Sequence, residues 1–170
     1  GVLPWVAASG AEGLRQLSVS LKPEEAGAKR LVPVARGEDD AEEDAKGKVS
    51  LDSSDLELTE DGGPQTVGLR FQSVPLPAGA KIKKAYVQFE VDEESSEATV
   101  LTLAGQAVDD APAFAAKDKD VSSRARTQSS VEWKPGSWSE EGDAGEKQQS
   151  PDLTGILQEI AARPGWKEGN

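Results

Sequence analysis

The chain has no cysteine, no histidine and no methionine, and aromatic residues make up only 5% of its 170 positions. Without cysteine there is no disulfide framework, no thiolate nucleophile and no cysteine-ligated zinc. Without histidine there is no Ser-His-Asp triad, and the commonest general base near neutral pH is missing. No run approaches the roughly 18–20 apolar residues that a membrane-spanning helix needs. Basic residues are scarce too: 19 Lys and Arg face 31 Asp and Glu, for a formal charge of −12. That sign repels phosphate backbones and anionic headgroups, which argues against nucleic acid and membrane surfaces as direct ligands. Cations, neutral sugars and basic protein partners stay open.

What remains is enough for one domain with a core of Val, Leu, Ile and Ala. The opening stretch "GVLPWVAASGAEG" reads either as the remnant of an export signal or as an arm that packs Trp5. "LRQLSVSL" (14–21) alternates weakly, as an edge strand does, and Pro33 in "KRLVPVARG" (29–37) confines that segment to an edge or an extended arm. The acidic run "EDDAEEDAKG" (38–47) reads as a solvated loop. "VSLDSSDLEL" (49–58) has period-two apolar residues on either side of a Ser-Ser break.

Stronger signals follow. "TVGLRFQSV" (66–74) places Val67, Leu69 and Phe71 on one face, "PLPAGA" turns the chain, and "KIKKAYVQFEV" (81–91) places Ala85, Val87, Phe89 and Val91 on one face. The two read as one hairpin with Leu69, Phe71, Val87 and Phe89 inward. "ATVLTLAGQAV" (98–108) and "SSVEWKP" (129–135) add further strands. Only "SPDLTGILQEIAARPGW" (150–166) asks for a helix. Ser150 suits its cap, Pro151 its first position and Asp152 its positive end. Leu153, Ile156, Leu157 and Ile160 line one face, Arg163 suits the far end, and Pro164-Gly165 stops it. The expected class is therefore mainly β, an antiparallel sandwich or barrel with one C-terminal α-helix.

The ordered motifs DDAEE (39–43), SSDLEL (53–58), QTVGLRF (65–71), SSRART (122–127), SVEWKPGSW (130–138) and PDLTGILQEIAARPGWKEGN (151–170) carry a resemblance. Together with "LPAGAKIKKAYVQF" they resemble the DNRLRE or disaggregatase-related β-sandwich modules of bacterial exported surface proteins. The resemblance covers about residues 38–170 and leaves 1–37 as an N-terminal arm or extension. It implies a jelly-roll-like sandwich related in architecture to carbohydrate-binding modules. It also implies that a domain ending at Gly169-Asn170 lacks its last strands. It brings no catalytic residues with it.

Four acids, Asp39, Asp40, Glu43 and Asp110, are the candidates for a calcium site, since calcium takes six to eight oxygen ligands. A solvated acidic loop is the competing reading. Trp133 and Trp138, which flank a Lys-Pro-Gly turn, are the candidates for stacking on a sugar or anchoring a partner. Covering the core is their alternative role. Arg124 and Arg126 read as internal partners of carboxylates. Carboxylates are plentiful, yet no spacing singles out a catalytic pair, so no catalysis is expected and no cofactor is required. Two functions follow: an exported module binding carbohydrate or matrix, or a non-catalytic accessory subunit of a larger assembly. The second fits a membrane-associated complex or an organelle lumen such as that of the thylakoid.

Overall fold

The computed structural model describes residues 15–22, 29–52, 58, 63–96 and 98–170. The Trp5 segment and most of SSDLEL lie outside the described residues. Among the described residues there are three antiparallel sheets and one C-terminal α-helix, a fold that is mainly β as expected. The first sheet has the order β2-β1-β6, from Arg30–Pro33, Arg15–Lys22 and Lys81–Phe89. The second, β4-β3-β5, comes from Val49–Ser50, Asp40–Glu43 and Thr66–Leu69. The third pairs β7 (Leu101–Gln106) with β8 (Arg126–Trp133). Helix α1 spans Thr154–Ala161.

Period two explains the first sheet. Leu17, Val19 and Leu21 of β1 and Ala85, Val87 and Phe89 of β6 alternate inward and are buried. Leu17 sits opposite Val87 and Val19 opposite Ala85. Two expectations change here. β1, whose weak alternation reads as an edge strand, is the middle strand of its sheet. The expected hairpin at 67–91 does not form, because β5 pairs with β3 while β6 pairs with β1. "PLPAGA" turns the chain, but it carries it from one sheet to another. β2 is an edge strand, as Pro33 requires.

The helix is shorter than its sequence signal, and its cap differs. Ser150 belongs to the sheet: its Oγ accepts from the Val87 N–H at 2.9 Å, and its own N–H donates to Val87 O at 2.9 Å. Asp152 takes the capping role, accepting from the Thr154 N–H at 3.0 Å and from the Thr154 hydroxyl at 2.6 Å. Leu153 and Ile156 are buried, and Leu157 and Ile160 pack half-buried against the same cluster. Gly105 makes this packing possible, because a Cβ there would lie 2.7 Å from Ile160 Cδ1 and 2.8 Å from Ile156 Cγ2. Arg163 pairs with Asp109 at 2.6 Å just past the helix. No described helix is long and apolar enough to cross a membrane.

Candidate ligand cleft

The acidic run is a solvated loop only in part: Glu38 and the turn at Asp44–Lys46 are exposed. Gly37–Asp39 form a single 3-10 turn that leads into β3, and Asp39, Asp40 and Glu43 are all buried. A buried carboxylate needs donors, and the chain supplies them from far away. Arg70 Nη1 donates to Asp39 Oδ1 at 2.6 Å, Gln72 Nε2 donates to Asp39 Oδ2, and Arg70 Nε reaches Ala111 O at 2.6 Å. Glu43 Oε2 accepts from the backbone N–H groups of Val121 (2.9 Å) and Ser122 (2.8 Å). Asp110 is exposed on another loop. Among the described residues no three acidic side chains are gathered in a metal-holding group. In this structure the carboxylates of Asp39 and Glu43 tie loops to the second sheet.

Trp133 is buried in the core, stacked on Phe89 with centroids 5.5 Å apart and planes at 24°. Trp138 is half-buried and packs on both rings at 6.2 Å. Its backbone exchanges two hydrogen bonds with Ser95, each 2.8 Å. The pair forms an aromatic cluster behind β6, so the core-covering alternative describes Trp133. Arg124 is an internal partner, as expected: it donates to Asp120, Gln106, Pro112 and Ala113, and its guanidinium lies 4.2 Å from the Phe114 centroid. Burial pushes the Asp120 carboxyl up, but the Ala115 N–H and Arg124 outweigh it and hold it below the usual carboxylate range.

The feature that sequence patterning missed is a cleft of about 690 Å³ between the sheets and α1. Leu69, Phe71, Leu101, Leu103, Leu157 and Ile160 line it, and each is only half-buried. Its volume falls in the range of about 300–1,000 Å³ typical of ligand sites. Trp133 and Phe89 contribute to the wall, and Asp109 and Asp110 lie along it. No local motif encodes such a site. The only hint in the chain is an apolar face on β7 that matches the inward faces elsewhere.

Sheet edges complete the description. An open edge presents unpaired N–H and C=O groups. The edge of β6 away from β1 is closed by the segment before and within α1. Ser150 Oγ, Asp152 Oδ1 and Gln158 Oε1 accept from the Val87, Ala85 and Ile82 N–H groups at 2.9, 3.2 and 3.2 Å. On β8, the Gln128 and Ser129 N–H groups donate to the two oxygens of Glu159 at 2.8 and 2.9 Å. Those two bonds hold the Glu159 carboxyl below its ordinary range. β5 and β7 pair on one edge each, and among the described residues no strand covers their other edges. Both strands border the cleft. Comparison with family models, with curated proteins and with solved structures finds no match for this chain.

Proposed function

We propose that this domain is a non-catalytic binding module, a jelly-roll-like sandwich whose ligand seats in the cleft between β5, β7 and α1. One observation carries the reading. Half-buried Leu69, Phe71, Leu101, Leu103, Leu157 and Ile160 border this cleft together with fully buried residues of the core such as Phe89 and Ile156. A cleft of this size with apolar walls is the usual form of a ligand site, and here polar residues such as Arg70, Gln72 and Arg126 stand among the apolar ones. Of the two functions expected, this geometry favours the accessory subunit of a larger assembly. The carbohydrate or matrix reading relied on Trp133 and Trp138, and Trp133 is in the core. The acidic surface suits a basic partner, outside the cell or in an organelle lumen.

Titration with the apolar fluorophore anilinonaphthalene sulfonate tests the reading. Saturable binding to the folded wild type is expected, with clear weakening in Leu103→Asp. Near-ultraviolet circular dichroism checks that the variant keeps its packing. Failure of the folded wild type to bind sinks the reading. A glycan array hit abolished by Trp138→Ala would replace it with the carbohydrate module.

A further inference from the structure

We infer that the cleft takes an unbranched amphiphile with a carboxylate head, its chain lying along β7 with the tail toward Trp133 and the head at Arg126. This deepens the binding-module reading and rests on it. The first support is the shape of the space. The cleft touches every residue from Val100 to Gln106, and seven residues of strand extend about 20 Å. Spread over that length, its 690 Å³ leave a mean cross-section of at most about 35 Å². An α-helix with its side chains is about 10–12 Å across and needs more than twice that area. A β-strand fills about 4.8 Å by about 10 Å, which also exceeds it. A chain without side groups fits.

The second support is a gradient of polarity fixed by the register of β7 on β8. Leu101 stands opposite Trp133 and Leu103 opposite Val131, whereas Gln106 stands opposite Arg126. The Leu101 end is apolar, because Trp133 stacks on Phe89 and both rings back onto the cleft. The Gln106 end is polar: Gln106 Oε1 accepts from Arg124 Nη1 at 3.0 Å, and Arg126 is exposed there. An amphiphile matched to this axis buries its chain at the first end and keeps its charged head wet at the second.

The third support is the charge gathered at the polar end. Arg70 and Arg124 converge on the loop that follows β7, donating to Ala111 O at 2.6 Å and to Pro112 O at 2.8 Å. Each has its own counter-charge, Asp39 for Arg70 and Asp120 for Arg124. Asp109 is likewise taken by Arg163. Among the described residues no ion pair takes Arg126, the third guanidinium on the lining. Its planar fork of donors fits a carboxylate. Asp110 is exposed on the loop beyond β7 and opposes an anion, while Arg126 stands on the axis itself.

The probes are octanoate, decanoate and dodecanoate, with decanol and decyltrimethylammonium to vary the head. Each is titrated calorimetrically into the intact domain below its micelle concentration. The expected result is one saturable site whose affinity for the carboxylates tightens about tenfold for every two carbons added. Decyltrimethylammonium should bind at least about tenfold more weakly than decanoate. Arg126 is exposed, so Arg126→Gln should keep the wild-type near-ultraviolet circular dichroism; it should weaken decanoate at least about fivefold and leave decanol unchanged. Affinity that does not grow with chain length overturns the proposal. So does equal binding of decanoate and decyltrimethylammonium, or decanoate binding indifferent to Arg126→Gln. In those cases saturable anilinonaphthalene sulfonate binding by the folded wild type keeps the cleft as a ligand site. Loss of that binding as well removes the underlying reading.

Discussion

The two halves of this core differ in how completely they are filled. Around β1 and β6, the side chains of Leu17, Val19, Ala85, Val87 and Phe89 are buried, and those of Leu17, Val87 and Phe89 back onto the cleft. Around β5 and β7, Leu69, Phe71, Leu101 and Leu103 are apolar in the same alternating way, yet only half-buried beside the cleft. Both halves obey one patterning rule. The strand edges differ as well: Ser150 and Leu153 bond to the outer edge of β6, while among the described residues no strand pairs with the outer edges of β5 and β7. Hydrophobic alternation therefore marks which face turns inward, while what packs over that face decides whether it is filled.

The comparison makes quantitative predictions. Ile156→Asp places an unpaired charge where α1 meets the filled half, and loss of cooperative folding is expected by urea denaturation, a cost above about 4 kcal/mol. Wild-type stability in that variant would place α1 outside the core. Phe89→Ala removes the ring stacked on Trp133 and should cost about 3–5 kcal/mol. Asp39→Asn leaves Arg70 without its counter-charge beside a buried site and should cost about 3 kcal/mol. If Asp39→Asn proved neutral, the pair would be a surface interaction. Leu103→Ala should cost only about 1 kcal/mol, because empty space already lies beside that side chain and only a transfer term is lost. Equal losses for Phe89→Ala and Leu103→Ala would erase the distinction between the halves.

The last prediction is the mildest near neutrality and concerns acid. For Asp152, burial raises the carboxyl, but hydrogen bonds from Thr154 and the Ala85 N–H leave it below its ordinary value. Asp120 and Glu159 shift the same way. A carboxyl whose folded value lies below its unfolded one contributes stability that is present above the unfolded value of about 4. That stability is lost as pH falls through the folded value. Urea midpoints should be flat from about pH 7 to pH 5 and fall steeply below about pH 4. Asp152→Asn should flatten part of that fall, and a variant with an unchanged acid limb would show that Asp152 does not close the β6 edge.

Much of the fold was legible in the chain. The alternation in KIKKAYVQFEV became β6, "SSVEWKP" overlaps β8, and the spacing of Leu153, Ile156, Leu157 and Ile160 became the inward face of α1. What escaped was partnership at long range. The residues of β1 alternate whether the strand is central or at an edge, so its central place follows only from its pairing with β6. A proline and a glycine announce the turn at 75–80 but not which strand the chain then joins. Asp39 reads as solvated until Arg70 and Gln72 arrive from more than thirty residues away. Ser150 has the chemistry of a cap for either a helix or a strand, and the local sequence does not choose.

The pairing of β1 with β6 also has a kinetic consequence. Val19 lies opposite Ala85, so the first sheet cannot form until its strand partners, far apart in sequence, meet. Contacts of such long sequence separation slow folding, because the loop entropy is lost before the contact forms. During synthesis at about 5–20 residues per second, Leu17, Val19 and Leu21 wait several seconds for β6 to be made. Residues 150–158, which close the outer edge of β6, come seconds later still. A nascent chain of this domain therefore carries β1 without β6 for about 60–70 residues of synthesis, an interval in which its apolar face is open to mispairing.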